Sequence, residues 1–199
     1  MTKIFFTADL HLKHTNLIKH GIRNFKDCEE HDNTILTNWN NKVKKGDLVY
    51  IVGDVVWGQD FSILKKFNGQ KIIIKGNHDK TKDLDLAKKN NYISNWFHNK
   101  TINVNSEPFG KVSIAMNHFP MRSWDRSFYG SVLLYGHCHG SMGDYNLSTD
   151  IGVDCWNYTP VSTEEVIKYF KDKLIEFKKV EERLKLEEHT MRGALALDK

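Results

Sequence analysis

The chain is poor in cysteine, and Cys28, Cys138 and Cys155 are odd in number, widely spaced and outside any CxxC pair. This argues against a disulfide framework and against a thiolate zinc site. No stretch approaches the roughly 18 uninterrupted apolar residues of a membrane span, so no membrane partner is expected. The N-terminus, Met1-Thr2-Lys3-Ile4-Phe5-Phe6, runs straight into a strand-like segment. It lacks a signal peptide's longer apolar region and small-residue cleavage site, a pattern expected of a cytoplasmic protein. There is no block of one charge either: 29 Lys and Arg stand against 25 Asp and Glu, a net +4, with the lysines scattered. That balance permits an anionic substrate without arguing for a nucleic-acid surface. Linkers, internal repeats and low-complexity tracts are also missing, so 199 residues are most economically one domain with a sizeable core.

What the chain does have is a series of short apolar runs, each ending in residues able to bind metal or move protons. Residues 3–8 read as a strand that exits into Asp9-Leu10-His11. Residues 48–52 read as a strand ending in Gly53-Asp54, and residues 71–75 as one ending in Gly76-Asn77-His78-Asp79. A hairpin of residues 101–105 and 111–116, around Glu107-Pro108-Phe109-Gly110, exits into Asn117-His118. Residues 131–135 lead into Gly136-His137-Cys138-His139-Gly140, and 147–153 form a further strand. In extended chain, positions i and i+2 share a face, so His137 and His139 are expected to project together, as are Asp9 and His11. Helices are expected over 15–20, from an Asp27 N-cap to about Lys44 with Ile35, Leu36, Trp39 and Val43 as the apolar stripe, over 60–68 and over 81–91. Alternating strands and helices, followed by a strand-rich part, suggest a mixed α/β sheet or two packed sheets flanked by helices.

Asp9, His11, Asp54, Asn77, His118, His137 and His139 thus all fall just beyond C-terminal strand ends, where open α/β sheets place their ligand crevices. Seven oxygen and nitrogen donors are more than one ion needs. A carboxylate, amide and imidazole set without thiolates fits Mn²⁺, Fe, Zn²⁺, Ni²⁺ or Co²⁺, and two such ions could share one carboxylate.

Asp9-Leu10-His11, Gly53-Asp54-Val55-Val56, Gly76-Asn77-His78-Asp79, Asn117-His118 and Gly136-His137-Cys138-His139 together resemble the five ordered motifs of the calcineurin-like metallophosphoesterases. The resemblance implies a four-layer αββα sandwich of two mixed sheets flanked by helices. It implies two divalent cations, manganese foremost, with Asp9, His11, Asp54 and His139 on one and Asp54, Asn77, His118 and His137 on the other. His78 would be the general acid, with Asp79 orienting it. The implied activity is hydrolysis of phosphomonoesters or phosphodiesters of small molecules or nucleotides by in-line attack of a metal-bridging hydroxide. Alternatives are a nuclease acting on DNA or RNA and an inactive metal-binding scaffold.

Arg23, Arg122 and Trp124 are candidate substrate contacts, the arginines for phosphate and the indole for a base or aromatic leaving group. Arg126 belongs with them, and for each the alternative is a surface charge or a partly buried ring. His14, His20, His31, His98 and His189 match no motif and read as surface or structural residues. The core is expected to span 1–161. Ser162-Thr163-Glu164-Glu165 then opens one long amphipathic helix over 162–190, with Ile167, Phe170, Leu174, Phe177, Val180 and Leu184 recurring every three or four residues. This seam packs on its own domain or pairs two subunits as a homodimer, and 191–199 are expected to fray.

Overall fold

A computed structural model describes residues 2–183. Its frame is two mixed sheets, and the alternation of side chains along the first explains both cores. Strand β1 (Ile4–Thr7) lies between β2 (Leu48–Ile51) and a short antiparallel strand, while β3 (Gln70–Ile74) and β4 (Asn95–Phe97) continue the sheet beyond β2. Strands β1 to β4 run parallel, with Phe5 opposite Val49 and Val49 opposite Lys71. The second sheet runs β5 (Asn99–Ser106), β6 (Gly110–Asn117), β7 (Val132–Tyr135) and β8 (Ser148–Asp150), with β5 antiparallel to β6 and the other pairs parallel.

Successive residues of a strand face opposite ways. Phe5, Val49, Ile51 and Ile73 accordingly join Ile35 and Trp39 of helix α2 (Cys28–Lys42, after a short α1, Thr15–Lys19) and Leu84 and Ala87 of α3 (Thr81–Lys89). Phe6, Tyr50 and Ile74 instead share a core with Ile114, Met116 and Leu133 of the second sheet. A fully buried side chain of this size contributes about 1.5–3 kcal/mol. Helix α2 starts where expected, because the Asp27 carboxylate accepts the Glu30 backbone N–H at 2.9 Å.

Three expectations need revision. Residues Phe61–Lys66 wind as a 3₁₀ turn rather than an α-helix, started by Asp60, whose carboxylate caps Ser62 N–H. Strand β4, which follows α3, carries no alternating apolar pattern and was not anticipated; all three of its residues are only half-buried. The C-terminal helix is interrupted: β9 (Val161–Ser162) pairs antiparallel with β1, α4 spans Thr163–Tyr169, and residues 171–183 are helical again after a turn at Phe170. Its capping box is present in full, with Ser162 Oγ accepting from Glu165 N–H and Glu165 accepting from Ser162 N–H. Val166, Ile167, Phe170 and Leu174 are buried in the inter-sheet core and Phe177 packs against it, so the seam is covered by its own chain this far. Leu184 and the expected frayed tail lie outside the described residues.

Parallel pairing is what places the site. Because β1, β2 and β3 run the same way in register, their C-terminal ends lie along one edge, and β6 and β7 do likewise in the second sheet. The two edges are tied together by the parallel bridge of Ala8 with Gly152 and by His118 Nδ1, 2.9 Å from the Val52 carbonyl oxygen.

Candidate metal centre

The loops that leave these strands do not stay extended. Asp9 (φ 55°), His11 (φ 45°), Asp54 (φ 53°), His137 (φ 73°) and His139 (φ 49°) all adopt left-handed backbone conformations. Non-glycine residues seldom do so, and such conformations concentrate at functional sites. The consequence corrects the same-face expectation: His137 and His139 turn into different groups. One group is Asp9, His11 and His139; the other is Asp54, His118 and His137, with the ligand atoms of each within 4.8 Å of one another.

Asp54 stands between the two. Its Oδ2 lies 3.8 Å from His11 Nε2 on one side and 3.4 Å from His118 Nε2 on the other. Asn77 joins the second group through Oδ1, which is 2.8 Å from His118 Nε2 and 3.0 Å from His137 Nδ1. All seven motif residues therefore converge. Close approach explains two motif glycines: a Cβ on Gly76 would run into the Asp54 carboxylate, and one on Gly53 into the His118 ring.

Asp9 Oδ1 and His11 Nε2 are buried and lack a hydrogen-bond partner. Buried polar atoms are ordinarily satisfied, so two orphaned acceptor-capable atoms 4.0 Å apart mark room for a cation. The ionisable groups of the site shift in opposite directions. Burial pushes the Asp9 carboxyl up to about 7, against the lowering influence of His118 and His139. Burial alone would also raise Asp54, but the hydrogen bond and charge of His118 outweigh it and hold Asp54 low. His118 is raised in turn, its burial overcome by Asp54, whereas burial lowers His11. The donor set and these opposed shifts are compatible with divalent metal binding.

His78 sits at the rim, its side chain 44% exposed and Nε2 3.9 Å from Asp54 Oδ2. Its backbone N–H donates to Asp54 Oδ1 at 2.9 Å, and its carbonyl accepts from Gln59 Nε2 at 2.9 Å. Asp79, expected to orient His78, does something else. Its buried carboxylate accepts the backbone N–H groups of Asp54, Val55 and Gly76, at 2.9, 3.1 and 2.9 Å, and so ties the second motif to the third.

Arg23, expected at the substrate, is buried, and all five of its N–H donors are taken. Nε and Nη2 clamp Asp154 Oδ1 and Oδ2 at 2.8 and 2.7 Å; Nη2 also reaches the Asp9 carbonyl at 2.7 Å. Nη1 reaches the Leu10 carbonyl at 3.1 Å and His31 Nε2 at 2.8 Å. No donor remains for a phosphate. His31 is correspondingly buried and structural. Trp124 is also buried, donating Nε1–H to Ser131, and Arg122 lies over the Tyr145 ring. Both line a cavity of about 700 Å³ with Phe128, Lys173 and Phe177, which no residue of the Asp and His groups borders. Arg126, with a left-handed φ of 62°, stacks instead on Tyr129.

Three rim residues escaped the sequence reading. His14 stacks face to face on Trp57 with centroids 3.8 Å apart, and its ring is 5.3 Å from that of His11. Phe119 meets His137 edge-on at 4.7 Å. Asp154, whose Oδ2 is 2.7 Å from His139 Nδ1, was missed as well, since it belongs to no motif. No sequence signal announces it, because the burial of its partner Arg23 shows only in the fold.

Comparison with known proteins identifies the family. The family model of calcineurin-like phosphoesterases matches residues 2–177. An uncharacterised protein of Methanocaldococcus jannaschii is 30% identical over 180 residues, covering 84% of this chain and 91% of that one. The gene 66 protein of Mycobacterium phage L5 is 27% identical over 195 residues, covering 83% and 93%. A crystal structure of a protein of unknown function from Aquifex aeolicus shares the fold, with a TM-score of 0.63 at 22% identity over 85% of this chain and all of the other. Among the described residues no helix is long and apolar enough to cross a membrane.

Proposed function

The chain belongs to the calcineurin-like phosphoesterase family, and on that premise we propose that it hydrolyses phosphomonoesters or phosphodiesters of small molecules or nucleotides at a dinuclear metal centre. The observation that carries this reading is the position of Asp54 between two groups of donors, 3.8 Å from His11 and 3.4 Å from His118. In the proposed arrangement Asp9, His11, Asp54 and His139 hold one cation and Asp54, Asn77, His118 and His137 the other, Mn²⁺ being the favoured ion. The pair would neutralise phosphate charge and lower the pKa of a water towards about 7.

The remaining chemistry belongs to the chain. His78, exposed at the rim beside Asp54, hands a proton to the departing alkoxide, a contribution of about 10²–10⁴ in rate. Its backbone is pinned through Asp54 Oδ1 and Gln59, which holds its Cα beside the two donor groups. Asp79 keeps the two loops carrying Asp54 and Asn77 at fixed spacing. No side chain need form a covalent bond to phosphorus. His137 is exposed and the aromatic rings of Trp57 and Phe119 are partly so, which leaves an open cleft suited to varied esters.

The test is hydrolysis of p-nitrophenyl phosphate and bis-p-nitrophenyl phosphate after loading with Mn²⁺, Ni²⁺ or Zn²⁺. Turnover is expected with at least one metal and is expected to vanish in Asp54→Asn. His78→Ala should slow phenyl phosphate far more than p-nitrophenyl phosphate, because p-nitrophenolate leaves without protonation. Failure to turn over with every metal would reject the enzyme reading.

A further inference from the structure

The Arg23 network reaches only one of the two donor groups, and it reaches that group twice. Arg23 Nη2 and Nη1 grip the carbonyl oxygens of Asp9 and Leu10, the backbone from which the Asp9 and His11 side chains spring. Through Asp154 the same guanidinium bears on His139 Nδ1, 2.7 Å from Asp154 Oδ2. Arginine is always a donor, so His31 Nε2 must accept and its proton must sit on Nδ1, facing Asp32 Oδ1 at 2.8 Å. The result is one chain, Asp32 to His31 to Arg23 to Asp154 to His139, buried at Arg23 and His31 and partly buried at the three others. It links α2, the loop after β1, the loop after β8 and the loop after β7.

We propose that Arg23 and Asp154 are positioning residues for the cation held by Asp9, His11 and His139, and act little on the other. An ionised Asp154 can only accept, so it fixes the proton of His139 on Nδ1 and leaves Nε2 with its lone pair for a cation. Arg23 holds the left-handed backbone of the Asp9 loop, whose strained conformation needs external support. The other group has different supports: His118 is set by the Val52 carbonyl, while His137 has Asn77 Oδ1 at its Nδ1 and donates its backbone N–H to Asp9 Oδ2. The two sites are therefore unequal, one pre-organised by a partly buried ionic bridge between residues 131 apart in the chain and one without it.

This rests on the proposed dinuclear centre, and the experiment separates the two ideas. Metal-free full-length protein is titrated with Mn²⁺ by calorimetry, for the wild type, Asp154→Asn and Arg23→Lys. The wild type is expected to take two ions. Each variant should lose about 10–100-fold in affinity for one ion while the other binds as before. Asp47→Asn is the control, because Asp47 is a buried carboxylate that serves the fold, capping Lys3 N–H and Lys44 N–H, and is a member of neither group. It should lower the melting temperature and leave both affinities unchanged. If Asp154→Asn does not fold, Arg23→Lys decides alone. Wild-type affinity for both ions in the variants, or equal weakening of both, overturns the positioning role while leaving the centre intact. A wild type that takes no Mn²⁺ overturns the centre itself.

Discussion

Asp54 is the residue on which the site turns, since its carboxylate stands between both sets of donors. Asp54→Asn keeps the shape and removes the charge, so turnover should fall at least about 10³-fold, read as kcat/KM on a chromogenic ester. Gly76→Ala tests the packing around it. The added methyl meets the Asp54 carboxylate, and Mn²⁺ affinity should drop even where circular dichroism still reports the native fold. Far from the site, Lys71 offers a stability prediction. Burial lowers its ammonium from 10.5 to about 8, while Nζ donates to the Leu64 and Phe67 carbonyls. Between those pH values the folded chain has released this proton and the unfolded chain still binds it, so stability rises with pH. Chemical denaturation of wild type against Lys71→Met should show the wild type gaining ground from pH 8 to pH 10; a constant difference would contradict it. At this scale the motif residues were legible because each sits in a short segment whose chemistry is local. Their directions were not, because left-handed turns at His137 and His139 replaced the extended chain on which the same-face expectation depended. Arg23 was misread for a related reason: its partner Asp154 lies 131 residues away, and no local pattern announces the pair.

Elements differ in how much of their stability is local. Helix α2 carries its own start signal, and β1, β2 and β3 carry the alternation that sorts Phe5 from Phe6 into different cores. Strand β4 carries neither, and is made by the hydrogen-bonding edge that β3 offers. The C-terminal segment shows both kinds of support at once. Ser162→Ala removes one half of a capping box and should cost about 1 kcal/mol. Leu174→Ala, which empties a buried position in the helical residues after the Phe170 turn, should cost about 2–5 kcal/mol. A larger loss at Leu174 than at Ser162 in urea denaturation is the expected order. The reverse would mean that the segment contributes to the fold mainly through its cap.

The whole molecule brings seven side chains together by a simple device, two sheets whose parallel strands end at facing edges. The alternation of strands and helices left one mixed sheet or two packed sheets open, and the two-sheet sandwich was legible through the family resemblance that the ordered motifs carry. The asymmetry between the two donor groups was not, since it depends on which loops a single buried guanidinium reaches. A centre built this way has a definite signature. Anomalous scattering from crystals soaked in Mn²⁺ should give two peaks flanking the Asp54 carboxylate, one among Asp9, His11 and His139 and one among Asn77, His118 and His137. A single peak, or ions bound elsewhere with these side chains empty, would contradict a shared dinuclear centre.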